Sequence, residues 1–170
     1  MNRCTVHMKK IKPKPGQESV WDYPRPPRVA ACSDDVRVLV AGQEIANSQR
    51  TYRVLETSHP PVYYLPPEDI NMELLERAAG KRSFCEWKGS AAYWNFKGID
   101  QNITSIAWSY PDPSERFLPI KEYLAFYPSK VDEAYVNGER VQAQEGDFYG
   151  GWITDKIVGP FKGGAGTWGW

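Results

Sequence analysis

Apolar residues recur at every second position in Val36–Ala41. The three valines of this segment project to one side of an extended chain, and Arg37 and Leu39 project to the other. Gly42-Gln43 suits a two-residue turn that begins with glycine. Glu44–Ser48 then returns alongside the first segment. The pattern therefore predicts an antiparallel hairpin.

Short extended segments separated by turn residues continue along the chain. Asn137-Gly138, between two short apolar runs, is the strongest short hairpin signal. We predict a single compact, mostly β domain of about eight or nine short strands, closed as a barrel or packed as a sandwich. The further predicted strands are Thr51–Glu56, Val62–Leu65, Arg82–Trp87, Ala91–Phe96, Thr104–Tyr110, Tyr123–Tyr127, Ala134–Val136 and Glu139–Val141.

One segment has helical rather than alternating periodicity. Asn71 can cap its N-terminus and Gly80 can end it. Its apolar residues form one stripe, made of Ile70, Leu74, Leu75 and Ala78. We therefore predict one short helix near residues 71–79.

The first 28 residues differ from the rest in composition. Lysines alternate with prolines and an isoleucine up to Pro15, and Trp21 is followed by a proline-rich stretch that ends at Pro27. Proline lacks a backbone donor and restricts the preceding residue to extended shapes. We expect an extended arm over residues 1–28 and one mostly β domain over residues 29–170.

Charge and composition narrow the function classes. Lys plus Arg and Asp plus Glu both number 21, so the chain lacks the basic excess of a general nucleic-acid binder. It has neither a secretory signal nor the roughly 20 consecutive apolar residues that cross a membrane. Cys4, Cys32 and Cys85 are too few and too scattered for a disulfide framework. We expect a cytoplasmic protein without membrane contact, whose partner is a small molecule or another protein.

Candidates for proton transfer or metal binding are few. A structural zinc site needs about four closely paired Cys or His ligands, and the chain has only three scattered Cys with His7 and His59. We therefore expect no protein-ligated zinc, and the sequence names no other cofactor. His59, three residues after Glu56, can act as a base held by a carboxylate. The alternative for His59 is a turn residue bonded to backbone. Glu56 and His59 are the candidate catalytic residues.

Aromatic and charged residues cluster near the ends of the predicted strands. Tyr and Trp combine an apolar body with a polar tip, so they suit the walls of a pocket, and Arg or Lys beside them can orient a polar ligand. The alternative for each residue is an ordinary core position. The candidate ligand-binding residues are Arg53, Tyr63, Tyr64, Lys88, Trp108, Tyr110, Tyr149, Trp152 and Lys162.

Several long segments together resemble one family, the bacterial domain of unknown function 427. The resemblance runs from Glu18 to the C-terminus. It implies a small, mostly β cytoplasmic protein with a nucleotidyltransferase-like label, and it carries over no catalytic residues. The matching segments include Glu18–Pro27, Arg53–Asp69, Cys85–Gly89, Ala107–Pro111, Ala125–Pro128, Phe148–Thr154 and Pro160–Gly164.

Three hypotheses for function follow from these observations. The first is a module that binds a small ligand or a protein through an aromatic and charged cleft. The second is an enzyme acting on a nucleotide or other phosphate-bearing substrate, in which Lys88, Arg53 and Lys162 meet the anion. The third is an assembly factor that docks on a larger complex through its arm and its Trp-rich tail.

Overall fold

The computed structural model describes residues 9–146 and 148–170. Cys4, His7 and the start of the predicted arm lie outside the described residues. Those residues form fifteen strands, eight of which have four or more residues, and this confirms the mostly β fold class. In chain order the strands are β1 (Glu18–Ser19), β2 (Arg28–Cys32), β3 (Val36–Val40), β4 (Gln43–Ser48), β5 (Thr51–Leu55), β6 (Val62–Tyr64), β7 (Leu75–Cys85), β8 (Gly89–Lys97), β9 (Asn102–Ser109), β10 (Leu124–Phe126), β11 (Glu133–Val136), β12 (Glu139–Arg140), β13 (Gln142–Ala143), β14 (Trp152–Ile153) and β15 (Ile157–Val158).

Helical structure in the described part of the chain is limited to 3-10 turns. None of them is long and apolar enough to pass through a bilayer. They are Val20–Asp22, Pro67–Asp69, Met72–Leu74 and Glu115–Ile120.

The short helix predicted near residues 71–79 is wrong. Only Met72–Leu74 forms a 3-10 turn, and it lacks a side-chain cap. From Leu75 the chain is extended in β7 and pairs with β8, with Leu75 opposite Phe96. Sheet pairing and burial outweigh the small differences in helix propensity among these residues. Gly80 does not end a helix: it has a φ of 73° where the β7–β8 register shifts, as glycine does at a bulge.

The described strands are arranged in five sheets rather than one closed barrel. Two sheets have four strands each, in the orders β10-β9-β8-β7 and β12-β11-β3-β4, and a third has the order β2-β5-β6. Each of these sheets is antiparallel. Two-stranded pairs complete the fold: β13 runs antiparallel to β14, and β1 runs parallel to β15. The predicted hairpins β3–β4 and β11–β12 are both present. Val40 pairs with Gln43, so the two turn residues of the first hairpin are Ala41 and Gly42 rather than the predicted Gly42 and Gln43.

One isolated bridge connects two of the sheets. Leu65, just after β6, and Leu124, at the start of β10, exchange two backbone hydrogen bonds of 2.8 and 2.9 Å. Strand β10 in turn pairs with β9, with Ala125 opposite Trp108. The bridge therefore brings Tyr64, at the end of β6, towards Trp108 on β9.

Among the residues that the structure describes, buried side chains form three clusters. The largest contains the valines of β3, with Phe96 and Trp152 among its large members. The second is rich in aromatic rings and includes Tyr64 and Trp108. The third contains Val20 and other residues near β1 and β15. The second cluster carries the candidate site.

Candidate functional site

A cavity of about 380 Å³ lies over the aromatic cluster. Its walls come from β5, β6, β8 and β9, from the end of β7 with the turn after it, and from the loop that follows β13. This volume is within the range of pockets that bind small organic molecules. The bridge between Leu65 and Leu124 lies beside the cavity and holds the aromatic residues of two sheets close to each other.

Four aromatic rings form the floor of the cavity. The indole N–H of Trp108 donates to the hydroxyl oxygen of Tyr64 over 3.2 Å. The ring of Trp108 also lies 4.4 Å from that of Tyr127, and the ring of Tyr64 lies 6.4 Å from that of Tyr110. Aromatic pairs at such separations stabilise each other beyond the area they bury. The four rings of the floor are therefore connected through direct contacts.

The phenols of the floor stay protonated over the ordinary pH range. Burial raises the pKa values of Tyr64, Tyr110 and Tyr127 well above the usual value of a tyrosine. Each hydroxyl is therefore neutral, and it can donate or accept a hydrogen bond. A charged group of a ligand gains little at this depth, whereas a flat neutral ring finds aromatic contacts.

Charged groups lie at the mouth of the cavity. The side chain of Glu56 is 24% exposed, and its Oε2 lies 3.3 Å from Nε2 of His59 and 3.4 Å from Nη2 of Arg25. Burial alone would raise the pKa of Glu56, but the contact with His59 and the charges of Lys88 and Arg25 outweigh burial and hold the pKa below 4.5. Lys88 and Lys162 line the same mouth and are partly buried. Glu56 is thus an anion at neutral pH.

The loop after β13 closes against the floor through a glycine. Gly150 is buried, and a Cβ atom at this position would overlap the six-membered ring of Trp108. Tyr149, the preceding residue, places its ring 5.4 Å from that of His59. The absence of a side chain at position 150 therefore lets this loop form one wall of the cavity.

Eight of the eleven candidate residues from the sequence line this cavity. The structure brings together carboxylate, imidazole, ammonium and aromatic groups that lie far apart in sequence. They are Glu56, His59, Tyr64, Lys88, Trp108, Tyr110, Tyr149 and Lys162.

Arg53, Tyr63 and Trp152 lie elsewhere. Neighbouring residues of a strand point to opposite faces of a sheet. Arg53 and Tyr63, opposite each other across β5 and β6, therefore face away from Tyr64. Arg53 binds both carboxylate oxygens of Glu18 at 3.1 Å. The ring of Trp152 lies 5.0 Å from that of Tyr63 in the largest core cluster.

The sequence candidates omit several residues that line the cavity, among them Tyr127, Phe148 and Gln144. Tyr127 is the last residue of the predicted strand Tyr123–Tyr127, so it has the same aromatic, strand-end pattern as the residues that were chosen as candidates. Phe148 is next to Tyr149 in the sequence, so its aromatic side chain fits the same pattern. Gln144 is buried and contacts His59, but nothing in its sequence neighbourhood indicates that position.

An aromatic groove of about 620 Å³ adjoins the cavity. The two share Phe148 and Tyr149, and Trp168 lines the outer groove with 89% of its surface exposed. The aromatic surface thus continues from the cavity towards the C-terminal segment.

The cavity offers several kinds of polar group to a ligand. Across residues 9–146 and 148–170, no three His, Cys, Asp or Glu side chains are grouped closely enough to hold a metal ion. Cys85 lines the cavity as a free thiol. The groups available to a ligand are aromatic rings, phenol hydroxyls, the imidazole of His59, the carboxylates of Glu56 and Glu86, and the ammonium groups of Lys88 and Lys162.

Comparison with protein families identifies the family of this chain. No curated protein matches the chain. A family model described as Domain of unknown function (DUF427) matches residues 28–137, which include β2 to β11 and most residues of the cavity. This confirms the resemblance found in the sequence, and the chain belongs to the DUF427 family.

Proposed function

We propose that this protein is a binding module for a small organic molecule, which it holds in the cavity between β6 and β9. The observation that carries the proposal is the convergence of an aromatic floor and a charged mouth on one cavity of about 380 Å³. Pockets for small ligands combine mostly apolar walls with a few polar groups that fix orientation. In this cavity the aromatic groups lie at the floor and the charged groups lie at the mouth.

The separation sets the orientation of the ligand. The floor has neutral phenols and the indole of Trp108, so it favours a flat ring. The mouth has Glu56, Lys88 and Lys162, so it favours the polar end. The ligand accordingly enters ring first and keeps its polar groups near solvent.

An enzyme is the second candidate, because Glu56 and His59 lie beside each other at the mouth. Both ring nitrogens of His59 already have partners, since Nδ1 lies 3.2 Å from Gln144 and Nε2 lies 3.3 Å from Glu56. A general base works best when its pKa is near the working pH. The lowered pKa of Glu56 makes it a weak base at neutral pH. The arrangement therefore favours binding over proton transfer.

Titration of flat bicyclic aromatic compounds into the isotope-labelled protein tests the proposal. We expect shifts in the NMR signals of cavity residues such as Ala91 and Trp108. Tyr149→Ala should weaken binding by about three- to tenfold, because one aromatic wall is lost. Tyr135→Ala is the matched control, since Tyr135 is also half-buried but lies on β11 outside the cavity. The proposal fails if no compound shifts the cavity signals.

The enzyme alternative needs a different measurement. The purified protein is incubated with a panel of nucleotides and a divalent metal ion, and product formation is followed. We expect none. Turnover that is lost in Glu56→Gln would replace the binding proposal with a catalytic one.

A further inference from the structure

The side-chain amide of Gln144 has only one orientation that satisfies its neighbours. Gln144 is 4% exposed, its Oε1 accepts the backbone N–H of Gly151 at 3.2 Å, and its Nε2 donates to the carbonyl of Lys162 at 2.6 Å. A reversed amide would set donor against donor and acceptor against acceptor. Buried polar groups without a partner are costly. The two backbone groups therefore fix which atom of Gln144 faces His59.

The fixed amide determines the tautomer of His59. Nε2 of Gln144 lies 3.2 Å from Nδ1 of His59. The amide nitrogen of Gln144 carries two hydrogens, and the one that is not donated to Lys162 is directed to Nδ1. Nδ1 must therefore be the ring nitrogen that carries no proton and accepts this hydrogen bond. The ring proton is then on Nε2, which faces Oε2 of Glu56 at 3.3 Å.

Because His59 donates its Nε2 proton to Glu56, the carboxylate stays charged and its second oxygen, Oε1, can accept a hydrogen bond from a ligand. His59 and Arg25 both approach Oε2. Within residues 9–146 and 148–170, Oε1 of Glu56 receives no hydrogen bond. A charged carboxylate can only accept hydrogen bonds. If the proton of His59 were on Nδ1 instead, a lone pair would face Glu56 and the carboxylate would be driven to take up a proton.

We propose that Gln144 is a positioning residue that holds His59 in its Nε2–H form, so that Glu56 selects flat aromatic ligands with an N–H donor at their polar end. This inference rests on the proposed binding function. The neighbouring charges at the mouth are Lys88, Lys162 and Arg25, with Glu86 exposed at the rim. The three cations oppose a fully cationic ligand and favour a neutral N–H donor.

Two probes of nearly equal shape test the selection. Indole and benzofuran are both flat bicyclic compounds. Indole has an N–H donor at the position where benzofuran has a ring oxygen. In the NMR titration we expect indole to bind the wild-type protein about tenfold more tightly, as a hydrogen bond to a charged acceptor implies. Glu56→Gln should reduce this preference to about twofold or less, since an amide can also donate. Glu86→Gln changes a carboxylate at the same rim and should leave the preference intact.

The outcomes separate the two proposals. Equal affinity for indole and benzofuran overturns the selection by Glu56 and leaves the binding function standing. A preference that survives Glu56→Gln also overturns it. Failure of both probes to shift any cavity signal overturns the inference, and the binding function falls with it only if every other flat bicyclic compound in the titration also fails.

The tautomer is measured directly by nitrogen NMR of the imidazole. The chain has two histidines, so His7→Ala leaves His59 as the single signal. We expect a protonated Nε2 and an unprotonated Nδ1, and a mixture of both tautomers in Gln144→Met. A purely structural role of Gln144 would leave the imidazole signal unchanged. Protonation at Nδ1 in the folded His7→Ala protein overturns the proposal, even if Gln144→Met does not fold.

Discussion

The indole N–H of Trp108 donates to the hydroxyl oxygen of Tyr64 over 3.2 Å, and the two rings meet edge to face at 86°. Tyr64 is at the end of β6 and Trp108 is near the end of β9, so this contact joins two sheets. The same two side chains form part of the floor of the cavity. The stability of the fold and the shape of the cavity therefore both depend on this pair of side chains.

Replacement of Trp108 should destabilise the protein. Trp108→Phe removes the donor to Tyr64 and leaves unfilled space in the floor, and we expect the free energy of unfolding to fall by about 1 to 3 kcal/mol. Trp168→Phe is the control, because Trp168 is largely exposed and should change stability by less than about 0.5 kcal/mol. Urea denaturation followed by circular dichroism measures both. Equal midpoints for the two variants would contradict the prediction.

A methyl group at position 150 should distort the cavity. In Gly150→Ala the new Cβ overlaps Trp108, and the rearrangement should cost about 1 to 3 kcal/mol of unfolding free energy. Gly169→Ala is matched in chemistry, and its Cβ meets no atom within 4 Å. Thermal denaturation of the two proteins compares them. A Gly150→Ala protein as stable as Gly169→Ala would show that the loop does not pack on Trp108.

A truncation at the start of β7 should destabilise the protein as much as a truncation in the hydrophobic core does. Leu75 is 5% exposed and belongs to the largest cluster, so Leu75→Ala should lower the free energy of unfolding by about 2 to 5 kcal/mol. Leu118→Ala makes the same change at a side chain that is 51% exposed, and it should cost less than about 0.5 kcal/mol. Chemical denaturation provides the comparison. A loss at Leu118 that matched the loss at Leu75 would contradict this assignment of the core.

Acid should weaken the fold through Glu18. Burial raises the pKa of Glu18, but the hydrogen bonds from Arg53 and Tyr23 outweigh burial, so the pKa lies below its ordinary value of 4.5. A carboxylate with a lowered pKa contributes stability above pH 4.5, and that contribution is lost as the pH falls through the lower, folded-state pKa. Unfolding free energies measured between neutral pH and about pH 3 should therefore fall more steeply for the wild type than for Glu18→Gln.

The control for this pH series is a carboxylate without a buried partner. Glu73 is exposed, and Glu73→Gln should keep the acid dependence of the wild type. Glu18→Gln should be less stable than the wild type at neutral pH and approach it at low pH. Parallel curves for Glu18→Gln and the wild type would rule out the proposed role of Glu18.

Strands with strong local patterns could be predicted from the sequence. The alternating valines of β3 and the Asn137-Gly138 turn each contain their own signal, and both hairpins are present. The segment that begins at Leu75 contains residues that suit a helix, and its extended form depends on pairing with β8. Such pairing is tertiary information, so local propensity gives the wrong answer there.

The candidate site was predictable in composition but not in arrangement. Residue type identified Trp108, Lys88 and Tyr149 as parts of a pocket. Tyr63 and Tyr64 look equivalent in sequence, yet strand alternation places them on opposite faces. Gln144 reaches His59 across 85 positions of sequence, and no local pattern reports such a contact.

The parallel pairing of β1 with β15 joins Glu18 to Ile157 and Ser19 to Val158. Contacts between residues so far apart in sequence form slowly, because a long loop must close before they are gained. During translation the ribosome must therefore synthesise the chain as far as Ile157 before Glu18 can pair with it. During synthesis the segment around Val20, which is fully buried in the finished molecule, is exposed to chaperones and proteases.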